Sequence, residues 1–241
     1  MNINDLEEKI RQSESMSLSA AFPILMRKVY LWMAMALAIS GLTAYSVAAS
    51  PGLVQLIYSN SLVMWGCIIA ELVMVWKISN SVAKENRSLA TTTLMFIIFS
   101  ALNGVTLSSI FVLFAPAAIV KTFVITAGTF GVMAAYGYFT SRDLTKIGGL
   151  LFMALIGVII ASVVNMFLHS SGLDLVVSII GVLVFVGLTA WDSQKIKMSL
   201  AMAPDLGETS QKLALTGALS LYLDFVNLFL YLLRFFGGSR D

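Results

Sequence analysis

Three carboxylates lie within or at the end of long apolar runs, at Asp224, Asp192 and Glu71. An ionised Asp at the centre of a membrane helix costs about 2.5 to 3.5 kcal/mol to insert, so such residues are rare and are usually functional. Asp224 is the clearest case, because it stands eleven residues into its apolar run, between Leu223 and Phe225. Its position predicts a role in binding or moving an ion or a proton.

The polar residues around Asp224 recur at helical spacing. They lie three or four positions apart and therefore share one helix face. They are Gly217, Ser220, Asp224, Asn227, Tyr231 and Arg234. Such a stripe is typical of the lining of a cavity or an ion pathway, and the ionised member favours that interpretation. The alternative is a polar seam that hydrogen-bonds neighbouring helices.

Asp192 and Glu71 each have a simpler interpretation as well. Asp192 ends the sixth apolar run and could be an interfacial cap near Lys195. Glu71 lies one or two helical turns from Lys77, so it either pairs with a basic residue or belongs to the pathway. Asn103, also in mid-run, is expected to form hydrogen bonds between helices.

The rest of the sequence gives little support to an enzyme. One cysteine, Cys67, excludes an intrachain disulfide and disfavours a thiolate metal site. The one histidine, His169, ends an apolar run, where a solvated interfacial side chain is expected. An aspartyl intramembrane protease would need two carboxylates at matched depth, but its Gly-x-Gly-Asp motif is missing at Asp192 and Asp224. We therefore predict no enzymatic activity and no bound cofactor.

Composition places the chain in the membrane. Of 241 residues, 59% are hydrophobic and 12% are charged, and the mean hydropathy is +0.90, far from the range of soluble domains. About 20 apolar residues cross a bilayer as a helix. Seven such runs are present, at about 29–49, 62–78, 89–114, 117–140, 147–168, 173–192 and 213–236. These predict an all-α integral membrane protein with seven transmembrane helices in a membrane domain, 27–238, after a polar cytoplasmic N-terminal tail, 1–26.

The distribution of basic residues predicts the orientation. Lysine and arginine gather before the first run and in every second loop, which the positive-inside rule assigns to the cytoplasm. They are Lys9, Arg11, Arg27 and Lys28, then Lys77, Lys84 and Arg87, then Arg142 and Lys146, then Lys195, Lys197 and Lys212. The N-terminus is then cytoplasmic and the C-terminus outward. Because Arg234 and Arg240 fall on the unfavoured side, a seventh run that re-enters and returns is the alternative.

Three motifs carry a resemblance to a known family. The segment Leu221-Tyr-Leu-Asp-Phe-Val-Asn-Leu-Phe-Leu-Tyr-Leu-Leu-Arg234 closely resembles the last-helix signature of the Bax inhibitor one (transmembrane BAX inhibitor motif) family. Thr140-Ser-Arg-Asp-Leu144 and Thr189-Ala-Trp-Asp-Ser-Gln-Lys-Ile196 resemble two further segments of that family, which usually has Tyr in place of Trp191. The resemblance covers nearly the whole chain and indicates a bacterial member.

The resemblance implies a fold and a function. The fold is a last helix wrapped by the other six. The function is a pH-sensitive calcium leak through a channel or transporter, gated by an aspartate pair that falls here on Asp192 and Asp224. Glu71, with Ser220, Asn227, Tyr231 and Arg234 of the stripe, would line the path or bind the ion.

Simple electrostatics makes such a pair a reasonable sensor. Two carboxylates about 4 Å apart at an effective dielectric near 20 repel by about 4 kcal/mol, so they are expected to share one proton. When both are ionised, they offer the hard oxygen ligands that Ca²⁺ prefers. Ca²⁺ and protons are thus the expected ligands, with Asp192 and Asp224 as the candidate metal-binding residues.

A different class of function stays open at this point. Some members of the family resemble regulators of membrane proteases or of cell-death proteins, so the chain could instead bind a protein partner and transport nothing. The partners expected are the lipid bilayer and either ions or a membrane protein, with no nucleic acid, since the net charge of +2 is explained by the loops. Short tails and loops favour a bacterial inner membrane, with an organelle membrane as the alternative.

Overall fold

The computed structural model describes residues 3–84 and 87–237, with side chains described from Ala21 onward. Side chains 1–20, Arg240 and the predicted domain boundary at 238 lie outside the described residues. Eight helices form in the described part of the chain: α1 Ile3–Ala48, α2 Pro51–Tyr58, α3 Ser61–Ser79, α4 Leu89–Leu113, α5 Pro116–Phe139, α6 Thr145–Leu168, α7 Ser171–Ala201 and α8 Glu208–Phe236. All but α2 are long and apolar enough to cross a membrane. The predicted all-α, seven-span class is confirmed.

Local chemistry sets where the helices begin and end. Pro51 and Pro116 occupy the first turns of α2 and α5, where the missing N–H of proline costs nothing. The side chain of Ser88 accepts a hydrogen bond from the Thr91 amide and caps α4. His169 ends α6 in the left-handed conformation, with φ of 51°, and its side chain is exposed as expected.

Two boundaries differ from the sequence prediction near the candidate site. Helix α7 continues nine residues beyond Asp192, to Ala201, so Asp192 lies inside the helix and the cap interpretation is wrong. Helix α8 begins at Glu208 rather than at 213, which shortens the connection. The short helix α2 was not expected either. Hydropathy detects long apolar runs. It therefore does not detect the polar end of a long helix or a helix of only eight residues.

The last helix is the most enclosed of the spans. Of its most apolar 18-residue window, 67% is buried, against 6% for α3 and 11% for α6. It packs against α1, α3, α4, α5 and α7, while α6 packs on α7. This packing is compatible with a last helix surrounded by the others. Residues on α8 are therefore the ones most shielded from lipid.

Polar contacts distinguish the two ends of the bundle. At one end, called here the basic end, Lys28 Nζ donates to Gln211 Oε1 at 2.9 Å, and the Leu89 amide donates to Glu208 Oε1 at 2.5 Å. At the opposite end Arg234 pairs with Asp174 at 3.1 Å, with both side chains about half exposed. Helix α8 runs unbroken between these ends, so a seventh segment that turns back is not what the chain forms.

Candidate functional site

Asp224 lies in the interior of the bundle on α8. Its residue is 5% exposed, and its Oδ2 atom has no hydrogen-bond partner among the described residues. Most buried polar atoms find a partner because an unpaired one loses its hydration without compensation. An unpaired carboxylate oxygen in the middle of the most enclosed helix is therefore the least satisfied polar group of the site.

Asp192 faces the same seam from α7. Ile196 packs against Gly217 and Tyr231 against Gly181, and this antiparallel register sets Asp192 level with Ser220. Asp224 then lies one turn further from the basic end, about 5 Å along the helix axis. Asp192 is close enough for its charge to act on Asp224, although no hydrogen bond joins them within the described residues.

A small cavity opens between α7 and α8 beside Asp192. Its volume is about 100 Å³, and its wall includes Asp192, Lys195, Thr216, Gly217 and Ser220. One or more water-sized guests fit in such a space, and the wall is polar enough to hold them. Lys195 is the cation in this wall, and its ammonium lies 5.0 Å from the centre of the Trp191 ring. On α8 the wall of the cavity extends from Leu213 to Ser220, one helical turn short of Asp224.

The segment of α7 around Asp192 is held to α5 and α6 by its neighbours. Ser193 Oγ donates to the Ala134 carbonyl at 2.8 Å. Gln194 accepts from the Leu144 amide at 2.9 Å and donates to the Arg142 carbonyl at 2.7 Å. The Trp191 ring fills the space left by the missing side chain of Gly148. The backbone at Asp192 is thus fixed from the side opposite α8.

Glu71 belongs to a second polar group, in the middle of the bundle. Its carboxylate accepts from Thr106 Oγ1 at 2.9 Å and from Asn103 Nδ2 at 3.2 Å. Asn103 Oδ1 in turn accepts from the Tyr222 hydroxyl at 2.8 Å, which lies 2.7 Å from Ser40 Oγ. The chain of hydrogen bonds links α3, α4, α8 and α1. Glu71 therefore pairs with neutral groups rather than with a basic residue, and Asn103 bonds between helices as predicted.

The predicted stripe on α8 divides into two parts. Ser220 and Asp224 face the α7 seam, whereas the Asn227 amide donates to the Leu223 carbonyl of its own helix at 2.8 Å. Tyr231 stacks on Phe185 with ring centres 5.8 Å apart, and Arg234 lies in the exposed pair with Asp174. The structure therefore brings Asp192, Ser220 and Asp224 together, and leaves Glu71, Asn227, Tyr231 and Arg234 outside that group.

A resident metal site is not formed by the described residues, since no group of three or more His, Cys, Asp or Glu side chains lies together there. Asp192 and Asp224 alone provide two carboxylates. Calcium, if it passes this site, is cargo that keeps other ligands such as water.

Sequence reasoning missed Tyr222, Ser40 and Gln194. Tyr222 is fully buried and joins α8 to two other helices, and Gln194 joins the Thr140–Leu144 and Thr189–Ile196 motifs. Both lie within the motifs on which the resemblance rests, and a polar residue inside such a motif was the available signal. Ser40 has no such signal in the sequence.

Comparison with known proteins agrees with these motifs. A family model described as inhibitor of apoptosis-promoting Bax1 (Bax1-I) matches residues 23–241. The chain is 48% identical over 217 residues to the inner membrane protein YbhL of Escherichia coli, covering 89% of this chain and 92% of that protein. It is 47% identical over 214 residues to a protein of Borreliella burgdorferi, covering 89% and 91%. A protein of Rickettsia prowazekii is 41% identical over 216 residues, with 90% of each chain covered.

Proposed function

The chain belongs to the Bax1-I family, and from that premise and the geometry of the α7–α8 seam we propose that it is a pH-sensitive calcium leak channel or transporter. Asp192 and Asp224 form the gate, and their protonation selects between a closed and a conducting arrangement. The protein acts without enzymatic chemistry. The ions pass along the seam between α7 and α8.

One observation carries the proposal, namely that the Oδ2 atom of Asp224, on the most buried helix, has no hydrogen-bond partner among the residues that the structure describes. A carboxylate is expensive in this position unless it takes up a proton or a cation. Asp192 adds a second negative charge from the neighbouring helix, which strengthens the demand for a counter-charge. A proton and Ca²⁺ therefore compete for the same oxygens.

The cavity beside Asp192 supports an entrance at the basic end. It contains Asp192 and Ser220 in its wall and lies on the route toward Asp224. Beyond Asp224 the seam is filled by the Tyr231 ring against Gly181. We propose that this contact closes the path in the arrangement described here, and that Asn227, Tyr231 and Arg234 line the continuation when it opens. Glu71 lies on a separate helix pair and contributes through Tyr222.

The proposed location is a bacterial inner membrane, because the relative from Escherichia coli is named an inner membrane protein. We propose that the basic end, with the N-terminus, faces the cytoplasm, and the distribution of basic residues supports this orientation. The gate therefore reads cytoplasmic pH. Protons and Ca²⁺ are the ligands, and the lipid bilayer is the surrounding partner.

The test is calcium flux into liposomes that contain the purified protein, from pH 5 to pH 8. We compare wild type with Asp192→Asn and Asp224→Asn, and use Asp143→Asn as the matched control because Asp143 is an exposed loop carboxylate. Wild type and the control should titrate alike. Each gate variant should lose most of the pH dependence, since asparagine keeps the size of the side chain and removes its proton equilibrium.

Two results would contradict the proposal. Flux that titrates normally in both gate variants would exclude the aspartate pair as the sensor. No flux above empty liposomes, with the protein folded as judged by its melting curve, would exclude the leak itself and favour the alternative, a membrane-embedded regulator of a membrane protease or other protein.

A further inference from the structure

A lateral groove opens between α1 and α5 near the basic end. The backbones of these two helices stand apart, since α1 packs mainly on α4 and α8 while α5 packs mainly on α7 and α8. The groove has a volume of about 580 Å³, within the range of roughly 300 to 1,000 Å³ that is typical of small-molecule sites. Its walls are mainly apolar, with Met33 on one side and Phe130, Gly131 and Ala134 on the other.

One cation stands at the edge of this groove. Arg27 lines it, is exposed, and has no hydrogen bond or ion pair within the described part of the chain. Its neighbour Lys28 is already bound to Gln211. A guanidinium presents a fork of N–H donors that matches a phosphate in geometry and charge. The N–H donors of Arg27 are therefore available to bind an anionic group at the edge of the groove.

Arg27 stands directly before the first apolar run, 29–49, where the headgroup level is expected. It adjoins Lys28, whose contact with Gln211 lies near the first turn of α8. The stacked rings of Phe22 and Tyr138, 6.3 Å apart, close the groove at its basic end. From Arg27 the groove runs toward Met33, one to two turns further along α1, and so into the hydrocarbon layer. A polar edge at headgroup depth and an apolar extension below it is the shape of a phospholipid.

We propose that this groove is a binding site for an anionic phospholipid of the leaflet on the Arg27 side. The phosphate and acidic headgroup bind Arg27, and an acyl chain lies against Phe130, Gly131 and Ala134. The proposal does not depend on calcium transport. A helix of a second chain would need an acidic side chain at the matching position to pair with Arg27, whereas an anionic lipid carries its charge at headgroup depth already.

Two glycines on α5 offer a matched test. A Cβ added at Gly131 or at Gly128 meets no atom within 4 Å, so a side chain at either position begins in open space. Gly131 lines the groove and Gly128 does not. Gly131→Leu should fill the apolar part of the groove, while Gly128→Leu makes the same chemical change on the same helix outside it. Arg27→Gln removes the charge and leaves the groove open.

The measurement is native mass spectrometry of the purified full chain with equal amounts of phosphatidylglycerol and phosphatidylcholine of identical acyl chains. Wild type and Gly128→Leu should retain phosphatidylglycerol preferentially. Arg27→Gln should lower that preference about fivefold, the equivalent of about 1 kcal/mol for one basic residue at an anionic surface. Gly131→Leu should lower retention of both lipids.

Three outcomes would overturn the proposal. They are equal retention of the two lipids by wild type, an unchanged preference in Arg27→Gln, and dimers that Gly131→Leu dissociates, which would make the groove an interface between copies. Melting curves show whether Gly131→Leu folds as Gly128→Leu does. If it does not fold, the Arg27→Gln comparison still decides, because that variant leaves the helix packing unchanged.

Discussion

Replacing Tyr222 by Phe removes one oxygen atom from the centre of the bundle and leaves the ring in place. That oxygen donates to Asn103 Oδ1 at 2.8 Å and lies 2.7 Å from Ser40 Oγ. Ser40 keeps other acceptors, because the Ala36 and Ser100 carbonyls lie 2.9 and 2.7 Å away. The main loss is therefore the donor to Asn103.

The size of the effect follows from that one bond. Hydrogen bonds between membrane helices average about 0.6 kcal/mol and reach about 1.7 kcal/mol. We expect the free energy of unfolding to fall within that range. For a chain of this length about 1 kcal/mol corresponds to roughly 2 to 4 °C, so the melting temperature should fall by about 1 to 7 °C.

The assay is thermal unfolding of the purified protein in detergent, with Tyr231→Phe as the control. The Tyr231 hydroxyl has no hydrogen-bond partner within the described residues, and its ring contact with Phe185 survives the change. The control should therefore stay within about 0.5 kcal/mol of wild type. A double-mutant cycle with Asn103→Leu isolates the pair.

The reasoning would be refuted by either of two results. One is a melting temperature of Tyr222→Phe that equals the melting temperature of Tyr231→Phe. The other is that Tyr222→Phe lowers the free energy of unfolding equally in wild type and in Asn103→Leu, although in Asn103→Leu the acceptor of the Tyr222 hydroxyl is already missing. The first result would mean that the Tyr222 hydroxyl adds nothing measurable to the stability of the bundle, and the second that its contribution comes from a contact other than the one with Asn103.

Two further predictions concern helix approach and pH. Gly137→Ala should lower the free energy of unfolding by about 1 to 3 kcal/mol in the same melts, because its new methyl group would overlap the Ala190 carbonyl. Gly128→Ala, where the new methyl group meets no atom, should be neutral or stabilising. Equal melting temperatures of the two variants would contradict this. Hydrogen bonds from the side chain and backbone of Thr145 hold the pKa of Asp143 below its usual 3.8. The stabilisation is therefore present above pH 3.8 and is lost as the pH falls below it, so Asp143→Asn should melt below wild type at neutral pH, and the two curves should converge in acid.

Much of the fold could be predicted because a helix that crosses the bilayer must consist of about 20 mainly apolar residues, and a plot of hydropathy along the sequence detects such runs. All seven runs correspond to helices, and α4 begins at 89 in both the prediction and the structure. The end of α7 could not be found this way, because the residues after Asp192 are polar and yet helical to Ala201. They are helical because Gln194 and Lys197 bond to α5 and the turn after it, a tertiary contact that no local pattern contains.

The sequence singles out the carboxylates of the candidate site, but it does not reveal which residues contact them. Asp224 stood out because a charge in an apolar helix is costly, and that argument holds for any single sequence. The partners of Glu71 could not be deduced, since Thr106 and Asn103 lie more than thirty positions away on another helix. The expected basic partner was chosen for nearness along the chain, whereas packing brought neutral donors to the carboxylate.

The hydrogen bonds of Tyr222, Ser193 and Gln194 have a mechanical consequence. Asp192 lies on α7, and its neighbours Ser193 and Gln194 hydrogen-bond to α5 and to the residue before α6. Asp224 lies on α8, where Tyr222 hydrogen-bonds to α1 and α4. No bond joins the two carboxylates within the described residues, so the distance between them depends on how α7 packs against α8. Any shift of α7 against α8 would therefore change that separation even where neither aspartate is altered.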